Sequence, residues 1–265
     1  MTLAFWASDA ALLGTQAALV ALPRPDALPW VQSLAAKLRH RLWAAVPLAS
    51  IVGAIIAITA TAASAEFLTW LALIAVPPLA FVALGWVIHG SRWWLALLAA
   101  PLFALAWIDH THLWGEGAAL ILSALSCVTL GVLITSVAPV SWLKVGVVLM
   151  ACADAYLVFS SQLQAPNNVL NAAAPHVLHL PQLQRELFGD AVMGYGDIFI
   201  AGVFGALLAV ERRPQLVPAL ITFALAAAFD VLFLWIDTLP ATVPIAAALI
   251  VTEYLHRRRV RTASR

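Results

Sequence analysis

Two acids in the most apolar part of the chain stand where they could do chemistry. Asp197 lies about a third of the way into the apolar run from Phe188 to Val210, and Asp154 lies in the apolar run before it. A carboxyl at bilayer depth is expensive, and residues of this kind line polar cavities and carry function. Gly194 and Gly196 flank Tyr195 just ahead of Asp197. Glycine weakens a helix, so a pair of them marks a place where another backbone must come close to the acid. Two carboxyl groups a few ångströms apart in low dielectric cannot both ionise, so such a pair holds one shared proton. The carboxylate then acts as base on a water while the acid form polarises a carbonyl. This is aspartic-protease chemistry, and its apparent pKa values belong to the pair. Asp154 and Asp197 are the expected catalytic residues.

The elements that must position them are membrane helices. Of 265 residues, 63% are hydrophobic and 10% charged, with a mean hydropathy of +0.96. Soluble domains sit near ~45–50% apolar and ~25% charged, so the composition is that of an integral membrane protein. Nine apolar segments are predicted, at about 5–22, 43–62, 67–88, 93–109, 117–136, 141–161, 189–210, 215–236 and 240–255. Each is near the roughly 20 residues that a bilayer requires. The expected fold is therefore an all-α polytopic bundle of about nine transmembrane helices. The first segment is the weakest, because it contains Asp9 and Gln16. Pro77 and Pro78 interrupt the third, where neighbouring helices must re-satisfy freed carbonyls. The chain divides into N-terminal helices (1–136), catalytic helices (137–256) and a basic tail (257–265). The basic stretch at about 23–42 carries Trp30, Val31, Leu34 and Leu38 on one face and reads as a surface helix on anionic headgroups. Cys127 and Cys152 have no partner at ligand spacing and read as packing residues. No basic residue precedes the first apolar run, so a removable leader is not expected.

Charge predicts the orientation. With nine crossings and a cytoplasmic C-terminus, thirteen of the fourteen Lys and Arg fall inside, leaving Arg185 outside. Eight crossings, with the first segment on the cytoplasmic surface, give the same result for everything after residue 40. The expected location is the cell membrane, with the N-terminus outside when the first segment crosses. Asp154 then lies about eight residues before the outer end of its helix and Asp197 about eight after the outer start of the next, both roughly 12 Å deep. Gly194, Asp197, Ala201 and Gly205 share one helical face; Ala151, Asp154 and Val158 share another. Small faces let helices approach closely in a membrane, which predicts that these two meet.

These residues resemble a family. Gly194-Tyr195-Gly196-Asp197 matches the Gly-x-Gly-Asp motif of the presenilin and signal peptide peptidase aspartyl proteases, and Ile198–Phe204 looks like the continuation of that helix. Asp154–Phe159 resembles the family's first catalytic-aspartate helix, with Ala153 where a Tyr usually precedes the acid. Leu239-Pro240-Ala241-Thr242 resembles the Pro-Ala-Leu motif that opens the last helix, with Thr242 in place of Leu. The resemblance covers about residues 150–255. It implies a presenilin-like bundle that cleaves transmembrane helices, with Gly194, Tyr195, Gly196, Pro240, Ala241 and Thr242 near substrate. In the family the segment ahead of the Gly-x-Gly-Asp helix pairs with unwound substrate as a β-strand; Val177 and Leu178 are the residues expected to do so. The orientation resembles the signal peptide peptidase branch, whose substrates are signal-peptide-like or type II helices. Expected partners are such helices and the bilayer; no nucleic acid, metal or organic cofactor is implied, and oligomeric state is left open.

Other polar residues read more plainly. Asp230 is expected to be a structural acid, Asp190 and Asp237 solvated helix-end residues. Asp109, His110, His112 and Glu116 match no zinc signature and read as a wet loop. His176 and His179 are expected loop residues. Two other functions fit the acids. A prepilin-type leader peptidase uses the same motif, but its relatives carry Lys two residues after the Asp, where this chain has Phe199. A proton-coupled transporter would use the buried carboxyls as a relay, and inverted repeats, its usual companion, are not evident.

Overall fold

The computed structural model describes residues 2–162, 168–169 and 180–263. Long apolar runs become helices because a helix satisfies its own backbone in lipid. Helix α1 spans Leu3–Ala21 and is capped by Thr2, whose hydroxyl accepts from the Phe5 N–H at 3.1 Å. After the short α2 (Pro29–Ala35) come α3 (Val46–Ala60) and α4 (Ala62–Val82). Helix α4 runs through Pro77 and Pro78 and ends in a π turn at Ala83–Val87; the Thr129 hydroxyl donates to the Leu79 carbonyl at 2.8 Å. A 3-10 segment, Trp93–Leu98, leads into α5 (Ala99–Ile108), followed by α6 (Leu113–Val137) and α7 (Val140–Phe159). The C-terminal part holds α8 (Tyr195–Val210), α9 (Leu216–Asp230) and α10 (Thr242–Ala263).

Each predicted apolar segment overlaps a helix, in whole or in part. Among the described residues, five helices are long and apolar enough to cross a membrane: Leu3–Ala21, Ala63–Val87, Leu113–Val137, Val140–Phe159 and Leu216–Leu234. The chain is a helical membrane protein. The other predicted crossings fall short of that measure for visible reasons. Helix α3 has 15 residues and α8 has 16, while α10 runs into the Arg257–Arg261 basic stretch.

The all-α expectation needs one correction. Residues 189–194, predicted as the start of a helix, instead belong to a β-hairpin. Strand β1 (Arg185–Phe188) pairs antiparallel with β2 (Ala191–Gly194), in the register Arg185↔Gly194 to Phe188↔Ala191. The two-residue turn is Gly189-Asp190, and Gly189 supplies its φ of +56°. Along β2, Ala191 and Met193 are buried while Val192 and Gly194 are exposed, the period-2 alternation of a half-buried strand.

The core is built around α8, which is buried from Ile198 to Ala209 except at Phe199. Its main partner is α6, so the packing runs across the division drawn at residue 136. The crossing needs glycine on both sides: a Cβ on Gly131 would lie 2.5 Å from the Gly202 carbonyl oxygen, and one on Gly202 would lie 2.5 Å from that of Cys127. Helix α1 packs along α8 as well, where a Cβ on Gly205 would strike the Leu19 carbonyl.

Candidate active site

Asp197 is the third residue of α8, and Gly194 is the cap. Its Oδ2 accepts the Gly194 N–H at 3.1 Å, the reach-back half of a capping box at the positive end of a helix dipole. A Cβ on Gly194 would sit 3.0 Å from that same oxygen, so glycine is the residue that lets the carboxyl lie on the backbone. The sequence dictates this local arrangement. The strand ends at the glycine pair, the helix starts there, and the acid falls in its first turn.

Asp154 comes from α7 and is buried. Its Oδ2 accepts the Thr242 hydroxyl at 2.6 Å. Thr242 opens α10, so a second helix N-terminus is aimed at a carboxylate. Helices α7 and α8 are in contact, and the charge of Asp154 acts on Asp197. The structure thus brings together Asp154, Asp197, Gly194 and Thr242. Pro240 and Thr242 are buried and Ala241 is half-buried beside them, while Gly196 is the half-buried second residue of α8.

Three expectations change. Tyr195, expected at the substrate, instead has its hydroxyl 2.7 Å from Ser126 Oγ on α6. At 100° per residue Tyr195 and Asp197 leave the helix on nearly opposite sides, so the ring anchors the start of α8 to α6. Secondly, the small face of α8 does not serve mainly to meet α7. Gly205 faces α1, where an added Cβ would lie 2.4 Å from the Leu19 carbonyl oxygen, and Gly202 faces α6, where one would lie 2.5 Å from that of Cys127. Thirdly, depth shifts because the helices have other bounds. Asp154 is five residues, about 8 Å, before the end of α7, and Asp197 is in the first turn of α8 beneath the hairpin. Val177, Leu178, His176 and His179 lie outside the described residues.

The remaining polar residues sort themselves by contact. Asp190 and Asp237 are exposed. Asp109 pairs with His112 at 2.7 Å, and Glu116 accepts the Gly189 N–H at 2.8 Å, so this acidic cluster braces a loop and the hairpin turn. Two features are absent from the sequence reading. Glu186 on β1 is 1% exposed, faces Ser123, and keeps Oε1 without a partner; burial pushes its carboxyl well above the usual range. Asp9 and Asp230 form a second carboxyl pair between α1 and α9. A Gly-Asp dipeptide between short alternating runs is the available signal for the hairpin, and hence for an inward-facing Glu186. Nothing in local sequence pairs positions as distant as Asp9 and Asp230.

Chemically, the site offers two neighbouring carboxyls, Asp154 held by a hydroxyl at 2.6 Å and Asp197 by a backbone N–H at 3.1 Å. A water between them could lose a proton to the first while the second protonates an oxygen of the substrate. Cavities of about 400 Å³ between α3 and α4, and about 460 Å³ around His89 and Arg212, lie away from the acids. No protein-family model, curated protein or solved structure matches the chain.

Proposed function

We propose that the chain is an intramembrane aspartyl protease that hydrolyses peptide bonds within transmembrane helices. The observation that carries this reading is the seating of the two acids. Asp154 is bonded by the first residue of α10 and Asp197 by the cap of α8, on helices in contact. Asp154, held by the Thr242 hydroxyl at 2.6 Å, is the base. It takes a proton from water as the water oxygen bonds to the scissile carbonyl carbon, and Asp197 protonates the carbonyl oxygen. Collapse of the tetrahedral gem-diol breaks the C–N bond as the leaving amine takes the proton from Asp154 and Asp197 takes one back from a diol hydroxyl, which leaves the carboxylic acid and restores both carboxyls. Thr242 departs from the Leu of the family it resembles, and its hydroxyl supports a positioning role.

The finer reading is a presenilin-like bundle of nine crossings, with the basic ends of the helices in the cytoplasm. Gly194, Gly196, Pro240 and Ala241 would border the substrate, a signal-peptide-like or type II helix. Reconstitution in liposomes with a model helix of cytoplasmic-N orientation tests it. Cleavage should occur, and should be lost in Asp154→Ala and in Asp197→Ala; cleavage that persists in either variant rejects the pair. One observation favours a proton-coupled transporter, namely the second acid pair at Asp9 and Asp230. Proton uptake by the same liposomes, with no cleavage of any helix, would favour that reading. A prepilin-type peptidase has no comparable support, since Phe199 stands where its relatives carry Lys.

A further inference from the structure

Asp9 in α1 and Asp230 at the end of α9 are each 6% exposed, and neither has a part in the proposed chemistry. The two helices pack along one another. Phe5 and Phe233 meet edge-on across the same seam, with ring centroids 5.6 Å apart. Phe5 lies one turn before Asp9 and Phe233 one turn after Asp230, so in antiparallel helices the rings and the acids occupy successive levels. The two carboxyls act on each other across this seam. Two carboxyls so placed in low dielectric cannot both ionise, so the pair holds one proton.

The pair takes its meaning from the segment after Asp230. Residues 231–241 form the connector to α10, and its middle, from Leu234 to Thr238, is exposed. One end is held where Asp230 meets Asp9, and the other where Thr242 meets Asp154. We propose that Asp9 and Asp230 are a positioning pair which, by sharing one proton, fixes the connector against α1 and so keeps Thr242 seated on Asp154. Its effect on turnover rests on the protease reading; its effect on the connector does not.

The charged groups on neighbouring elements are engaged elsewhere or exposed. Glu116 on α6 accepts from Gly189, and Arg185 on β1 donates to Gln182 at 2.7 Å. Glu186 faces Ser123, Asp197 on α8 turns to Gly194, and Asp190 and Asp237 are exposed. On α10, Glu253 is bonded to Lys144 and Arg213. The charge acting on Asp230 is that of Asp9. Loss of the shared proton at high pH therefore puts two like charges face to face in a low-dielectric seam, and the connector is released.

The test reads connector accessibility in the full chain, in liposomes. Cys127 and Cys152 are replaced, and the water-soluble maleimide reactivity of Ala241→Cys is divided by that of Thr238→Cys, an exposed reference on the same connector. The ratio should rise between about pH 6 and about pH 9 by tenfold or so, the scale of one lost hydrogen bond to a charged group. In Asp230→Asn, where an amide keeps the shape without a second charge, the ratio should stay low and flat. Cleavage should then survive high pH in Asp230→Asn while the parent loses kcat with KM kept. A flat ratio in the parent, or an unchanged pH response in Asp230→Asn, overturns the proposal. Should the ratio respond as described while no helix is cleaved at any pH, the protease reading fails and the positioning pair stands.

Discussion

At the scale of the residue, Thr242 carries the sharpest consequence. Its hydroxyl bonds a buried carboxyl at 2.6 Å, and hydrogen bonds to charged groups contribute roughly 1.5–3 kcal/mol. Thr242→Val keeps the shape and removes the donor, so kcat for helix cleavage should fall about tenfold to a hundredfold with little change in KM. Thr242→Ser should stay near the parent. Gly194→Ala forces a methyl to 3.0 Å from Asp197 Oδ2 and should reduce turnover while leaving the fold intact, as judged by unchanged thermal unfolding. Glu186 makes a prediction about pH. Its carboxyl is raised above the ordinary 4.5 by burial, so the folded state holds a proton that the unfolded state gives up. The stability this protects is complete below about pH 4.5 and declines as pH rises toward the raised value. Glu186→Gln should match the parent near pH 4 and unfold at a higher temperature than the parent at pH 8. Equal melting at both pH values would show that Glu186 does not titrate with folding.

Elements are where sequence reading succeeds best and fails most instructively. Helices α1, α4, α6, α7 and α9 are legible because runs of about twenty apolar residues have few ways to satisfy their backbone in lipid. The start of α8 is misread because Gly189–Gly194 is as apolar as a helix, and composition cannot tell a buried strand from a helix over so few residues. Both proposed catalytic acids are legible from type and spacing, whereas the bond from Thr242 and the turn of Tyr195 toward Ser126 depend on packing between distant helices. The α6–α8 crossing lends itself to a direct check. Gly202→Val places a side chain where the Cys127 carbonyl stands, and overpacking of this kind costs about 1–3 kcal/mol. Thermal unfolding in detergent should show the loss. Gly53→Ala on α3, with nothing within 4 Å of the added carbon, should show none.

For the whole molecule, the end opposite the acids holds the helices together. Lys144 on α7 bonds Glu211 at 2.5 Å and Glu253 on α10 at 2.9 Å; Arg213 bonds both acids and the Thr252 carbonyl. The four side chains are 9–27% exposed, enough shielded for removal of one partner to matter. Lys144→Met should lower Tm by about 2–4 °C for each kcal/mol lost, and high salt should narrow the difference. This ionic knot joins α7, the α8–α9 turn and α10, the same elements that meet at the two acids and Thr242. A bundle pinned at one end behaves as a pair of tongs, with the knot as fulcrum. From Lys144 to Asp154 the arm is about 15 Å, so a tilt of about 10° would part the jaws by about 3 Å, the width of one water molecule. Small angular motion at a fixed pivot is then enough to admit water between the acids.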